Sequence, residues 1–505
     1  MAPMDDEQLE FQQQVEKIKS WWSSPRFESV KRPYSAESIV SKQGTFMTTY
    51  RSNMQAQKLW TLLKQNKVNR TTSYTFGALD PIQTVDQQLI YLSGSSIDKV
   101  DYLFRTQLFY DRKQREERVA MTPDQREKIP NVDYLKPIIV DVGHGGIATI
   151  MKLTKMCVER GAAGIHVEDQ PASSKKYENR TGNIIIPTAE HINRLVAVRA
   201  QCDIMGVENL VTAHTRAISA TCITSNVDSR DHPFILGTTN PTLKPLSTVL
   251  LEAESQGIQG SALQRIHDEW IENADLKCYS MAVVEELIRN DSADLVDDFL
   301  NDTRLKSHKE SRFIAQEKYR VNVFWDWDIP RDRDGFFRYG GSTEAAIARS
   351  IDYTDYADML WMETEKSALQ QAQKFARYIL AASPQSLLCY HISPSFNWDT
   401  TGLADRDIRS YMDQLTKLGY VWQFITLDGI HPHALATDLF TRYDKKKDIY
   451  HHAPYDHHKN QHHNVDILPH QKWLSANYID KAMKLVAGDT TTAIDKDGTE
   501  EQFNG

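Results

Sequence analysis

Short apolar runs alternate with amphipathic stretches through the middle of the chain. Residues 137–141 and 164–167 are short and apolar, which is typical of buried strands, while 147–160 carries apolar residues at helical spacing. The alternation continues with a helical stretch at 188–204 and an apolar run at 209–214. This β-α-β-α-β order predicts a parallel sheet whose strands are joined by helices.

Later apolar runs of the same kind lie at 321–325, 359–362, 387–391 and 422–427. So many β-α units favour a closed (β/α)8 TIM-type barrel over an open sheet. Functional side chains of such barrels lie at the carboxyl ends of the strands. The polar residues expected at those ends are Asp141, Glu168, His214, Asp326, Asp328, Glu363, His391, Ser393, Ser395, Thr426 and Asp428.

Two stretches interrupt the alternation and suggest how the chain is divided. We predict an N-terminal helical segment at 1–60, barrel at 61–254, an inserted helical subdomain at 255–320, the rest of the barrel at 321–434, and a helical oligomerisation segment at 435–505.

Net charge, apolar runs and cysteine spacing argue against several classes of protein. The chain has 505 residues and a formal net charge of −9, which argues against binding nucleic acid or an anionic membrane through bulk charge. It shows neither a secretory signal nor an apolar run long enough to span a bilayer. Its 5 cysteines match no disulfide or zinc spacing, so we expect core thiols in a reducing compartment. We expect a cytoplasmic protein, or a peroxisomal or glyoxysomal one without a recognisable C-terminal address.

Several long motifs carry a resemblance to a known family. GHGG, KLTKMCVERGAAGIHVEDQ, AEHINRLVAVRAQCDIMG, SPSFNW and HQKWLSANY are similar to segments of isocitrate lyases, especially the fungal type. The likeness covers nearly the whole chain. It implies an α/β (β/α)8 barrel of the phosphoenolpyruvate mutase superfamily and a homotetramer with C-terminal helix exchange. It also implies Mg²⁺-assisted cleavage of isocitrate to succinate and glyoxylate.

The catalytic acid of that family is altered here. The resemblance places the acid as a cysteine in a KKCGH loop, and this chain reads KKYEN, with Tyr177 at the cysteine position. A tyrosine hydroxyl, with a pKa of about 10, is a poor replacement for a thiol.

The metal and glyoxylate region is also reduced. The family's DADTGHGG reads VDVGHGG here, so Asp141 and Glu168 are the metal ligands that the resemblance still supports. The family's SGWQ loop is shortened to SGSS, which leaves Ser93 and Gly94 as candidate substrate contacts. A hard cation needs several oxygen ligands. Mg²⁺ is therefore expected only weakly, and no cofactor is assigned with certainty.

The substrate side has changed too. The family's ARTDS reads AHTRA, so His214 replaces an arginine and Arg216 replaces an aspartate, while His391 replaces an asparagine. An imidazole does not reproduce a bidentate arginine clamp on a carboxylate. Histidine can, however, transfer protons near neutral pH, so we predict Tyr177, His214 and His391 as the catalytic set. The predicted substrate contacts are Ser93, Gly94, Arg216, Ser393, Ser395, Asn397 and Thr426.

Three hypotheses remain open. The first is a repurposed enzyme that acts on an acidic or carbonyl-bearing small molecule. A role in fungal specialised metabolism is an extrapolation of this hypothesis. The second is a true isocitrate or methylisocitrate lyase with unusual residues. The third is a non-catalytic partner subunit of a lyase tetramer. The changes cluster at the barrel mouth, whereas the family motifs of the scaffold are retained. This favours the repurposed enzyme, because unselected drift would also damage the scaffold.

A histidine-rich stretch stands apart from these motifs. Residues 451–463 contain six histidines in three adjacent pairs. They could bind zinc or nickel, but the spacing matches no structural zinc motif. An exposed polar loop with incidental metal affinity is the preferred interpretation.

Overall fold

The structure is a computed structural model. It describes residues 5–46, 48–85, 87–92, 97–143, 145–171, 183–362, 364, 368–392, 404–426 and 429–444.

Strands in these ranges form one large sheet and two small ones. The strands are β1 Ser73–Phe76, β2 Ile90–Leu92, β3 Ile138–Asp141, β4 Gly164–Glu168, β5 Asn183–Ile185, β6 Leu210–Thr215, β7 Ala220–Ile223, β8 Leu236–Gly237, β9 Lys277–Cys278, β10 Phe337–Arg338, β11 Met359–Met362, β12 Leu387–Ile392 and β13 Tyr420–Ile425. The small sheets are β10-β7-β5 and β8-β9.

The large sheet is the predicted barrel. Its 8 strands follow the order β1-β13-β12-β11-β6-β4-β3-β2, and every neighbouring pair is parallel. A parallel bridge between Gly77 and Tyr91 brings the two ends of the sheet together. The TIM-type α/β fold is therefore confirmed.

Helices cover the barrel and fill the insertion. They are α1 Asp6–Trp22, α2 Ala36–Val40, α3 Arg51–Asn69, α4 Ile97–Ala120, α5 Pro123–Lys128, α6 Ile147–Glu159, α7 Thr188–Met205, α8 Leu246–Ser255, α9 Ser261–Ala274, α10 Tyr279–Arg289, α11 Val296–Asp302, α12 His308–Glu317, α13 Thr343–Tyr353, α14 Leu369–Ala382, α15 Asp405–Lys417 and α16 Ile430–Asp444. Helices α9 to α12 fall within the predicted insertion at 255–320. The predicted C-terminal segment is described only to the end of α16.

The barrel interior is filled by inward-pointing residues at alternate strand positions. Tyr91, Trp361 and Trp422 belong to this buried cluster, which also receives Leu59 and Leu63 from α3. Leu59 and Leu63 are four residues apart and so lie on one face of the helix. Each fully buried side chain of this size contributes about 1.5–3 kcal/mol.

Two details of the strand prediction were wrong. Residues 321–325 form no strand; Val321 and Trp325 pack instead among the helices of the insertion, and the Trp325 indole N–H donates to the Lys277 carbonyl at 2.8 Å. An apolar run buried among helices looks the same in sequence as a buried strand. The short strands β1 and β2 were missed because neither forms a long apolar run.

A buried carboxylate joins the N-terminal segment to the barrel. Asp358, immediately before β11, accepts hydrogen bonds from Arg26 at 2.6 Å, from Arg199 at 2.7 Å and from the Val211 backbone N–H at 2.8 Å. Burial alone would raise the pKa of Asp358, but the two guanidinium groups outweigh it and hold that pKa at about 2. The carboxylate therefore stays charged and fixes three segments at one point.

The described thiols behave as core residues. Cys157, Cys202, Cys222 and Cys389 are buried and free, whereas Cys278 is half-buried. Burial raises the pKa of the first four, so they remain protonated. Separately, none of the helices in the described part of the chain has the length and apolar character needed to span a bilayer.

His191 is a buried imidazole in the first turn of α7. Its ring meets Tyr353 at a centroid distance of 4.7 Å, and within the described residues neither ring nitrogen has a hydrogen-bond partner. Burial, reinforced by the positive charges of Arg194 and Arg349, lowers the pKa of His191 well below 6.5. The folded protein therefore holds this ring neutral.

This neutral ring predicts a stability loss in mild acid. The folded state excludes a proton that the unfolded chain binds near pH 6.5, so stabilisation is complete above that pH and is lost as the pH falls below it, by up to about 1.4 kcal/mol per unit. In urea titrations at about pH 7 and pH 5, His191→Leu should show a smaller fall in unfolding free energy than the parent. His433→Leu, at an exposed position, should match the parent. Equal falls in all three proteins would contradict the assignment.

Candidate active site

Strand register brings polar side chains together at one end of the barrel. Asp141 on β3 pairs with His166 on β4, Glu168 pairs with His214 on β6, and His214 pairs with Trp361 on β11. Residues paired on neighbouring parallel strands share a level and a face of the sheet. Asp141 and His166 occupy one level, and Glu168, His214 and Trp361 occupy the next level on the same face. We call these buried side chains of the two levels together the row.

Two imidazoles in this row lie within hydrogen-bond distance of each other. His166 Nε2 is 3.1 Å from His214 Nδ1, and His166 Nδ1 is 3.3 Å from Asp141 Oδ1. The Tyr91 hydroxyl is 3.4 Å from His166 Nδ1. Asp141 also accepts the Gly143 backbone N–H at 2.6 Å. A carboxylate beside Nδ1 favours the proton on that nitrogen, so the Nε2 lone pair faces His214.

Glu168 carries the second carboxylate of the row. Its Oε1 is 3.9 Å from His214 Nδ1, and its Oε2 is 3.5 Å from Arg216 Nε. The Arg216 side chain is 15% exposed, whereas Glu168 and His214 are essentially buried. Arg216 is thus a cationic side chain that contacts the row and is itself partly exposed to solvent.

A buried ionic network holds the ends of β4 and β6. Asp169, next to Glu168, accepts the Thr215 hydroxyl at 2.6 Å and the Arg216 backbone N–H at 2.9 Å. Arg349 donates to Asp169 at 3.1 Å and to Asp231 at 2.6 Å. Because Asp169 and Thr215 adjoin Glu168 and His214 in sequence, this network fixes the positions of both site residues.

Trp361 lies between the two predicted catalytic histidines. Its indole stacks on the His214 ring at 3.8 Å with an interplanar angle of 1°, and meets the His391 ring at 5.4 Å and 64°. His391 Nε2 is 2.8 Å from the Thr426 hydroxyl. His391 is 8% exposed and His214 is 0% exposed. The two imidazoles therefore share one aromatic neighbour while occupying different surroundings.

The structure does not describe several of the predicted site residues. Ser93, Gly94, Tyr177, Ser393, Ser395 and Asn397 lie outside the described residues, as do Glu363, Asp428 and the histidines at 451–463. Their roles stay predictions.

Asp326 and Asp328 were wrongly placed at a strand end, because the strand before them does not exist. Asp326 accepts the Asp328 backbone N–H at 2.7 Å, and the Asp328 side chain is 60% exposed beside Arg331.

Sequence reasoning missed His166 and Trp361. His166 stands two residues before Glu168 on one strand, so alternation places both on the same face. That spacing was the available signal. Trp361 offered no comparable signal, since an aromatic residue inside an apolar strand is ordinarily core.

Comparison with known proteins gives the family. A family model described as "Isocitrate lyase family" matches residues 14–97 and 89–503. The chain belongs to the isocitrate lyase family. An isocitrate lyase of Oryza sativa is 41% identical over 99% of this chain and 95% of that protein. One of Saccharomyces cerevisiae is 39% identical over 96% and 94%. A mitochondrial 2-methylisocitrate lyase of Hypocrea atroviridis is 34% identical over 98% and 94%.

The predicted family resemblance is therefore confirmed. The prediction of an enzyme of the lyase superfamily is confirmed with it. Among solved structures, a 2,3-dimethylmalate lyase of the PEP mutase/isocitrate lyase superfamily aligns with a TM-score of 0.39 at 10% identity, over 87% of this chain and 99% of that chain.

The described donor atoms do not fit the Mg²⁺ that the isocitrate lyase resemblance implies. Mg²⁺ prefers oxygen ligands in near-octahedral geometry. Here Asp141 Oδ1 faces the Gly143 N–H and a ring nitrogen of His166, while Glu168 lies beside Arg216. The side chains between these two carboxylates are His166 and His214, which offer ring nitrogens as ligand atoms instead of oxygens.

Removing the central cation of the ionic network should destabilise this isocitrate lyase family member strongly. Arg349→Leu leaves Asp169 and Asp231 buried without their guanidinium partner, so we expect a loss of about 3–5 kcal/mol in urea unfolding. Arg289→Leu, which removes a 70% exposed arginine paired with Glu286, should cost less than about 1 kcal/mol. Similar losses for the two variants would show that the buried network does not hold the barrel mouth.

Proposed function

We propose that this isocitrate lyase family member is an enzyme with altered chemistry that acts on a small hydroxy- or oxo-carboxylate. The observation that supports the proposal most is the position of His214. The resemblance implies a carboxylate-binding arginine there, and the chain instead packs an imidazole between Trp361 and His166. An imidazole in these contacts cannot reproduce a bidentate guanidinium clamp on a carboxylate, so we expect substrate recognition to differ.

His391 is the proposed acid/base group. Its Nε2 is 2.8 Å from the Thr426 hydroxyl, which holds the ring orientation, and histidine is the side chain most often used for proton transfer in catalysis. Its ring is also slightly exposed, unlike that of His214. Arg216 is the proposed contact for the ligand's carboxylate, because it is the partly exposed cation of the row.

Ordinary isocitrate or methylisocitrate cleavage is the second candidate. It is supported by the 41% identity to a plant isocitrate lyase across 99% of this chain.

Direct assay separates the two candidates. We expect cleavage of isocitrate and 2-methylisocitrate, followed as glyoxylate and pyruvate, to be at least about a hundredfold slower than for a family lyase assayed in parallel with Mg²⁺. A lost charge-assisted hydrogen bond of about 1.5–3 kcal/mol and a lost acid worth about 10²–10⁴-fold both act in this direction. A rate within about tenfold of the reference lyase would overturn the proposal and establish ordinary cleavage.

The acid/base role predicts a measurable proton exchange. With a panel of 2-oxo dicarboxylates in D₂O, the parent should incorporate deuterium next to the carbonyl, and His391→Gln should slow this by about 10²-fold while changing ligand affinity little. Thr426→Val, which keeps the imidazole but removes its hydroxyl partner, should slow it less. Exchange by no panel member above the protein-free rate, together with no lyase turnover, would instead support a non-catalytic partner subunit.

A further inference from the structure

Three buried side chains at the barrel mouth form a group that could hold a metal ion. His166, Glu168 and His214 each offer one ligand atom, and these atoms lie within 4.8 Å of one another. We propose that they bind a zinc-type divalent transition-metal ion in place of Mg²⁺. The inference goes beyond the proposed function and does not depend on it, since it concerns the protein without substrate.

The distances suit such an ion. Zinc binds histidine nitrogen at about 2.0–2.1 Å, so two nitrogens in a tetrahedral site lie about 3.3 Å apart. His166 Nε2 and His214 Nδ1 are 3.1 Å apart. Glu168 Oε1 is 3.9 Å from His214 Nδ1, and a small side-chain rotation brings it into the same shell.

The surroundings orient both imidazoles for binding. Asp141 Oδ1 lies 3.3 Å from His166 Nδ1, which is the carboxylate–histidine–metal arrangement that directs Nε2 to the ion. Trp361 stacks on His214 at 3.8 Å and fixes the plane of that ring. Both ligands are thus held by neighbours that do not themselves bind the ion.

Charge and donor type select the class of ion. Two imidazoles and one carboxylate suit zinc, cobalt or ferrous iron, whereas Mg²⁺ favours oxygen. The other oxygen of Glu168 lies 3.5 Å from Arg216, which leaves Oε1 directed to the histidines. Three protein ligands leave a fourth position for an anionic oxygen of a ligand, as in catalytic zinc sites.

A metal-free interpretation of the same geometry is a direct hydrogen bond between the two imidazoles. A separation of 3.1 Å fits it as well. The experiment must also exclude the six histidines at 451–463, which could bind the same ions. The chain of 505 residues with those six histidines replaced by asparagine is therefore the reference protein.

Cobalt provides the probe. Metal-stripped reference protein is titrated with Co²⁺ and followed by visible absorption, where four-coordinate Co²⁺ gives intense bands. We expect one equivalent to bind, and a thousandfold excess of Mg²⁺ not to displace it. His214→Phe, which keeps a ring against Trp361, and Glu168→Gln should each weaken binding by at least about a hundredfold. His391→Gln, at the same mouth but outside the group, should bind like the reference.

Thermal unfolding with Zn²⁺ is the second measurement, and it guards against variants that misfold. Zn²⁺ should raise the Tm of the reference and of His391→Gln but not of His214→Phe, because only a folded site is stabilised by its ion. Equal Co²⁺ spectra in the reference and His214→Phe, displacement by Mg²⁺, or no band at all would overturn the proposal. None of these results depends on substrate turnover, so they leave the proposed function to its own assays.

Discussion

The barrel mouth depends on one buried guanidinium. Arg349 is essentially inaccessible and bridges Asp169, Asp231 and the Ile186 carbonyl, the last at 2.6 Å. Burial alone would lower its pKa, but Tyr353 and the two aspartates raise that pKa well above its ordinary value. A permanent charge in this position is tolerable only while both carboxylates face it. Because Asp169 follows Glu168 directly, the same constraint sets where the polar row of the site begins.

The altered residues fit into this fixed frame instead of disrupting it. His214 is completely buried, and a buried imidazole without suitable neighbours costs about 1–3 kcal/mol. In the barrel, the indole of Trp361 stacks on the His214 ring, and a ring nitrogen of His166 lies within hydrogen-bond distance of it. The packing around His214 is therefore complete without the arginine that the family resemblance implies at this position.

The sequence predicted the barrel because apolar strands and amphipathic helices differ in period. It failed at 321–325, where an apolar run packs among helices, and at β1 and β2, which are too short to give a periodic signal. Placing Asp141, Glu168 and His214 at strand ends was enough to bring them together. The partners of His214 could not be predicted, since register between β6 and β11, which places Trp361 beside it, is a property of the closed sheet.

Trp361 divides the mouth into two chemically distinct parts. On one side are His214, His166 and Glu168, which are buried and rich in ligand atoms for a cation; on the other is His391 with Thr426. The first group suits an anionic oxygen of a ligand, and the second suits a proton on carbon or oxygen. The two proposals are compatible because of this separation, since an imidazole that coordinated the proposed metal ion would have no lone pair left for acid/base catalysis. The proposed metal-binding role thus belongs to His214 and the proposed acid/base role to His391, which separates two residues that the sequence analysis grouped in one catalytic set.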